Sequence, residues 1–228
     1  MEPRGAGIGI MPAMKSSLRI TEIFYSLQGE TSTVGLPTVF VRLTGCPLRC
    51  VYCDTAYAFH GGERHSIDAV VEQVRDLNAP YVTVTGGEPL AQRECLELLT
   101  RLCDDGYRVS LETSGAISIE GVDPRVTVIL DLKTPDSGEV GRNLYGNLEL
   151  IKPTDEIKFV ICSRSDYEWA RMRIDEYHLA ERSGGVLLSP SHGSLNATEL
   201  AEWIIADRLP VRLQVQLHKL LWNDEPGH

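Results

Sequence analysis

Short apolar runs rich in β-branched residues, each followed by a helical stripe, recur along this chain and restrict it to parallel βα packing. Residues 38–44, Thr-Val-Phe-Val-Arg-Leu-Thr, read as a core strand, as do 81–85, 107–112, 126–131, 156–162 and 186–189. Residues 211–217 read as a last strand, and 18–25, with weaker alternation, as a leading one. Between them, Ile67, Val70, Val71, Val74 and Leu77 form a helical stripe behind the capping residue Ser66. Cys95, Leu98, Leu99, Leu102 and Cys103 form a second stripe, ended by Gly106. A third helix falls within 166–182, and a fourth carries Leu200, Trp203 and Ile204 behind Asn196, with Glu199 in capping-box register. Residues 54–65 read as irregular. Only thirteen residues, 113–125, separate the third and fourth strands. A parallel crossover needs roughly a dozen, so one or two crossovers lack a proper helix. Six to seven strands are too few for an eight-stranded barrel. The expected fold is α/β: a partial, abbreviated βα barrel of six to seven mostly parallel strands with a reduced helical complement.

Length confines this to one domain, expected over 15–228, with residues 1–14 as a disordered N-terminal extension. The net charge of −10 argues against nucleic acid, which needs clustered Lys and Arg. No apolar stretch approaches the ~20 residues of a membrane span, and no secretory signal is visible. Six cysteines without scaffold spacing fit a reducing cytoplasm.

Three of those cysteines fall within Cys46-Pro47-Leu48-Arg49-Cys50-Val51-Tyr52-Cys53, directly after a strand. Thiolates select zinc, copper(I) or iron–sulfur clusters. A closed zinc site wants a fourth ligand or a second pair, and Cys95, Cys103 and Cys162 are scattered singly in apolar segments, where they read as core. Three thiolates on a four-iron cluster would leave one iron open for chemistry, unlike the four-Cys carriers. Arg42 interrupts an apolar strand and requires a partner, either a structural carboxylate or an anionic ligand.

Cys46-x3-Cys50-x2-Cys53 resembles the signature of radical S-adenosylmethionine (SAM) enzymes, and Thr85-Gly86-Gly87-Glu88-Pro89-Leu90 resembles their SAM-binding motif. More narrowly, Ser26-Leu27-Gln28-Gly29-Glu30, Gly45-Cys46-Pro47, Cys53-Asp54-Thr55 and Glu112-Thr113-Ser114-Gly115 resemble the 7-carboxy-7-deazaguanine synthase family. The resemblance runs from about residue 20 to 219 and implies an abbreviated version of the six-unit radical SAM barrel. It implies a [4Fe–4S] cluster on Cys46, Cys50 and Cys53, with Mg²⁺ on Thr55, whose other reading is a simple turn. SAM is implied against Tyr52, Cys53, Asp54, Gly87, Glu88, Asp131, Leu132, Lys133, Ser189, Pro190 and Ser191. Relatives often carry Ser where Asp131 stands and Gln near Ser189. The substrate is implied against Leu27, Gln28, Gly29, Glu30, Arg42 and Thr85, with Arg42 on a carboxylate and Gln28 and Glu30 on the amide edge of a pterin.

The implied reaction turns 6-carboxy-5,6,7,8-tetrahydropterin into 7-carboxy-7-deazaguanine with loss of ammonia, on the route to queuosine. A 5′-deoxyadenosyl radical from SAM takes a hydrogen from C6 and returns it after ring contraction. A flavodoxin or ferredoxin reductant, a homodimer and a cytoplasmic location come with the resemblance. His218 and Lys219 are candidates to fold over the substrate. Two rivals share parts of the pattern: an activating enzyme that installs a glycyl radical in a partner, and a non-catalytic protein with zinc on the three thiols.

Overall fold

The computed structural model describes residues 16–223 and Gly227, so the expected 1–14 extension lies outside the described residues. Among the described residues nine strands make one sheet: β1 (Ser17–Leu27), β2 (Pro37–Leu43), β3 (Glu63–Ser66), β4 (Tyr81–Gly86), β5 (Arg108–Thr113), β6 (Thr127–Asp131), β7 (Glu156–Ile161), β8 (Gly185–Pro190) and β9 (Arg212–Leu213). Their order is β3-β1-β2-β4-β5-β6-β7-β8-β9. From β2 to β9 every neighbour is parallel. β1 runs antiparallel to β2, and β3 antiparallel to β1. The parallel strands match the expected partial barrel, and two antiparallel strands extend it.

The helices are α1 (Ile67–Leu77), α2 (Cys95–Asp104), α3 (Arg164–Glu176), α4 (Leu179–Arg182), α5 (Ala197–Asp207) and α6 (Leu217–Trp222). Ser66 caps α1 by accepting from the Ala69 amide at 3.2 Å, and Ile67, Val70, Val71 and Val74 are buried beneath it. Burial of that stripe contributes roughly 1.5–3 kcal/mol per side chain. No helix stands between β5 and β6, as the short spacing requires, and β6 joins β7 through 3₁₀ turns alone although 24 residues, 132–155, separate them.

Three local expectations need correction. Residues 211–217 pair only over Arg212–Leu213, because the chain leaves the ladder after Gln214, whose backbone amide donates to the Leu188 carbonyl at 2.9 Å while its side-chain Nε2 donates to the Gly29 carbonyl at 3.3 Å, and then turns into α6. Within 54–65 lies β3, whose polar Glu-Arg-His-Ser sequence carries no strand pattern and is extended by pairing with the edge of β1. The helix expected through 166–182 breaks at His178, which takes a left-handed φ of 53° and separates α3 from α4.

Strand alternation decides where chemistry can sit. Val39, Val41 and Leu43 of β2, Val82 and Val84 of β4, and Val109 and Leu111 of β5 point into the core under the helices. The alternate positions, Phe40, Arg42, Thr85, Glu112, Asp131 and Lys158, face the concave side and line a cavity of about 800 Å³. A parallel sheet covered on both faces reads as continuous apolar runs, whereas these strands alternate. The concave face is therefore a ligand site.

Candidate active site

At the C-terminal edge of the parallel strands, the register places Arg42 beside Thr85 and Leu43 beside Gly86. The cysteine loop leaving β2 and the Gly86-Gly87 turn leaving β4 consequently touch. The Glu88 amide donates to the Gly45 carbonyl at 2.9 Å, and the Gly45 amide donates to the Ala58 carbonyl at 2.8 Å. A Cβ on Gly87 would lie 2.5 Å from Gly45 O and 2.6 Å from Cys46 Cβ. The glycine therefore makes room for the cysteine loop. Gly87→Ala is expected to displace Cys46 and lower the iron bound on anaerobic reconstitution; iron content equal to wild type would refute this.

Cys46, Cys50 and Cys53 line the cavity. Burial pushes the Cys46 thiol up and the Cys50 thiol up to about 11, so both stay protonated until a metal displaces the proton. Tyr52 Oη and Asp131 Oδ1, both on cavity-lining residues, are buried without a hydrogen-bond partner. Buried polar atoms left unpaired in a native site call for a ligand.

Most of the residues singled out from sequence come together here. Leu27, Gln28, Gly29, Glu30, Arg42, Tyr52, Asp54, Thr55, Thr85, Gly87, Asp131, Lys133, Ser189 and Ser191 all line the cavity. Glu88, Leu132 and Pro190 do not. Leu132 is a core residue, 1% exposed. Glu88 is completely buried, and its carboxylate accepts from the Leu90 amide, the Thr113 hydroxyl and both the amide and hydroxyl of Ser114. It ties the β4 turn to the end of β5 instead of waiting for an ammonium. Gln28 is similarly committed: its oxygen accepts from the Gly29 and Glu30 amides, and its amide donates to Thr83 and Glu112.

Arg42 has the carboxylate its burial requires. Its Nε donates to Glu22 Oε1 at 2.7 Å, Tyr57 donates to the same oxygen at 2.8 Å, and the guanidinium lies 5.9 Å from the Phe24 ring centroid. Phe24 and Phe40 stack at 5.0 Å and line the same cavity. Cys162, expected in the core, lines the cavity instead, because it follows the last paired residue of β7. Cys95 and Cys103 are buried as expected.

Sequence reasoning missed Lys158, which pairs with Glu30 across 128 positions of chain. Burial acts to raise the Glu30 carboxyl, and Lys158 outweighs it, so Glu30 ionises below its ordinary value. Lys158 is held above its own, its burial outweighed by Glu30 and its neighbours. Lys133 donates to Asp131 at 2.8 Å beside the Tyr52 ring. Glu30, Asp54 and His218 also bring ligand atoms within 4.8 Å of one another. Both carboxylates already hold an ammonium, Lys158 and Lys219 respectively, which opposes a cation between them.

Glu112 is the exception among these acids. Burial first, and then the Glu30 charge, raise its carboxyl, while Thr85 donates to it at 3.1 Å. A raised folded pKa means that stabilisation by the protonated form is complete below the ordinary glutamate value and is lost as pH climbs through the raised one. Glu112→Gln, neutral throughout, is expected to gain stability relative to wild type as pH climbs from the ordinary glutamate value through the raised one. Urea midpoints measured across that range test this; a constant offset would refute it.

Residues 40–135 match the model of the radical SAM superfamily. The chain is 45% identical over 214 residues to the 7-carboxy-7-deazaguanine synthase of Chlorobaculum tepidum, covering 92% of this chain and 97% of that protein. The chain belongs to the 7-carboxy-7-deazaguanine synthase family. The Koribacter versatilis member is 44% identical over 223 residues, covering 91% of this chain and 98% of that protein. The crystal structure of QueE from Escherichia coli superposes with a TM-score of 0.74 at 26% identity, covering 89% of this chain and 95% of that one. Family members are radical SAM enzymes that use a [4Fe–4S] cluster, SAM and Mg²⁺. The donor set described above fits those groups: three cavity-facing thiols, orphaned polar atoms beside them, and the Thr55 hydroxyl at the mouth. Among the described residues no helix is long and apolar enough to cross a membrane.

Proposed function

We propose that this chain converts 6-carboxy-5,6,7,8-tetrahydropterin to 7-carboxy-7-deazaguanine with loss of ammonia. The observation that carries the reading is the concave sheet face, where the three thiols share one 800 Å³ cavity with a stacked phenylalanine pair and a guanidinium. The cluster and SAM together supply a carbon-centred radical; the protein's residues bind, orient and exclude water. Cys46, Cys50 and Cys53 hold the cluster. Tyr52, Asp54, Gly87, Asp131, Lys133, Ser189 and Ser191 surround SAM, with Asp131 Oδ1 and Tyr52 Oη as the acceptor and donor awaiting partners. Glu88, Leu132 and Pro190 shape that wall from behind it.

Phe24 and Phe40 form an apolar shelf for the flat pterin. Arg42, whose Nε is taken by Glu22, presents the remainder of its fork to the substrate carboxylate. Glu30 with Lys158, and Glu112 with Thr85, offer carboxyl acceptors to the ring edge, while Leu27 and Gly29 close it sterically. Thr55 contributes a hard oxygen to Mg²⁺, which takes few protein ligands. Six cysteines without scaffold spacing support the reading of a reducing cytoplasm. A flavodoxin or ferredoxin as electron donor and a homodimeric assembly complete the reading, with 15–228 acting as one domain. Anaerobic incubation of the reconstituted protein with SAM, reductant, Mg²⁺ and the pterin is expected to yield the deazaguanine. Cleavage of SAM without that product would overturn the substrate assignment.

A further inference from the structure

The C-terminal segment crosses the mouth of the cavity and is fastened there by polar contacts. The Leu217 amide donates to the Gly29 carbonyl at 3.2 Å. Gln216 Nε2 donates to Glu30 Oε1 at 2.7 Å and to Asp54 Oδ2 at 3.2 Å. Lys219 Nζ donates to the same Asp54 oxygen at 3.0 Å, across 165 positions of chain, and its side chain is only 8% exposed. No residue of α6 is fully buried, and Leu220 and Leu221 are 69% and 51% exposed, so the polar contacts are the fastening shown here. The fit to Gly29 is tight: a Cβ there would stand 2.9 Å from His218 Nδ1.

Asp54 is the hub. One oxygen accepts from Gln216 and Lys219; the other accepts from the Thr55 hydroxyl at 2.9 Å. A hydroxyl that gives its proton to a fixed carboxylate has its direction fixed, and its lone pairs are left for another partner. Thr55 lines the cavity beside Cys53. We propose that Lys219 and Gln216 are positioning residues for the divalent cation at Thr55, acting through Asp54, so that the last helix completes the metal site from the other end of the chain. This rests on the reading of Thr55 as the Mg²⁺ ligand. Lys219 does not touch the metal; its ammonium orients the carboxylate that orients the hydroxyl.

The test uses Mn²⁺ as a paramagnetic stand-in, titrated by electron paramagnetic resonance into cluster-loaded enzyme with SAM and the pterin. Lys219→Met is expected to weaken Mn²⁺ binding roughly tenfold, the scale of losing an outer-sphere partner, with pterin and SAM affinities unchanged. Lys219→Arg, which keeps the charge, is expected to restore most of it. Gln216→Leu gives the same direction with a smaller loss, and stands in if the Lys219 variant does not fold. Mn²⁺ binding at wild-type strength in Lys219→Met or, where that variant does not fold, in Gln216→Leu, while Thr55→Ala has lost it, overturns this proposal alone. A parallel loss of pterin affinity in Lys219→Met also overturns it, since the segment would then serve general closure. Undiminished Mn²⁺ binding in Thr55→Ala removes the Thr55 assignment and the proposal with it.

Discussion

Cys50→Ala is expected to abolish deazaguanine formation and to reduce bound iron and sulfide roughly tenfold or more. Loss of even an outer-sphere partner costs a metal site 10- to 100-fold in affinity, and Cys50 is read as a direct ligand. The effect should be specific to the loop. Cys162 opens onto the same cavity from the end of β7, yet Cys162→Ala is expected to keep its iron, because no second thiol stands within a few residues of it to chelate. Cys103→Ala, on the buried face of α2, is expected to keep iron and lose about 1 kcal/mol of stability by leaving a small cavity. Iron analysis with the visible spectrum of anaerobically reconstituted protein reads all three variants. Full iron and turnover in Cys50→Ala would remove the basis for the proposed chemistry.

The parallel part of the fold was legible because period-2 and period-3.6 patterns do not overlap here. Ser66 with Val70, Val71 and Val74 behind it reads only as a capped helix. The polar lining was legible in principle as well: Phe40 and Arg42, Ser110 and Glu112, and Lys158 occupy alternate positions of their strands. Reading those strands as apolar runs hid Lys158 and left Glu112 as part of a family motif only. What sequence could not supply was pairing at a distance. β3 is polar and exists because β1 offers an unpaired edge. Glu30 meets Lys158, and Asp54 meets Lys219, only after the sheet has formed, and no local pattern announces either pair.

Glu88 shows how a motif residue can carry a structural task that its sequence context does not announce. An acidic residue after two glycines at a strand end looks like a ligand group, but its carboxylate is fully buried and surrounded by donors. Two backbone amides, of Leu90 and Ser114, and two hydroxyls, of Thr113 and Ser114, converge on it. Removing the shared acceptor would orphan all four, at about 1–3 kcal/mol for each buried group left unsatisfied, reduced where water enters the space. Glu88→Ala is therefore expected to cost about 4 kcal/mol, near the upper limit for a single substitution. Glu88→Gln keeps one acceptor oxygen but turns an NH₂ toward donors, and should cost about half as much. Because the Glu88 amide also holds the Gly45 carbonyl, loosening this turn should free Cys46, so iron uptake should fall along with stability. Urea unfolding of the apo chain separates the two roles: a ligand group can be removed without moving the midpoint, whereas this carboxylate cannot.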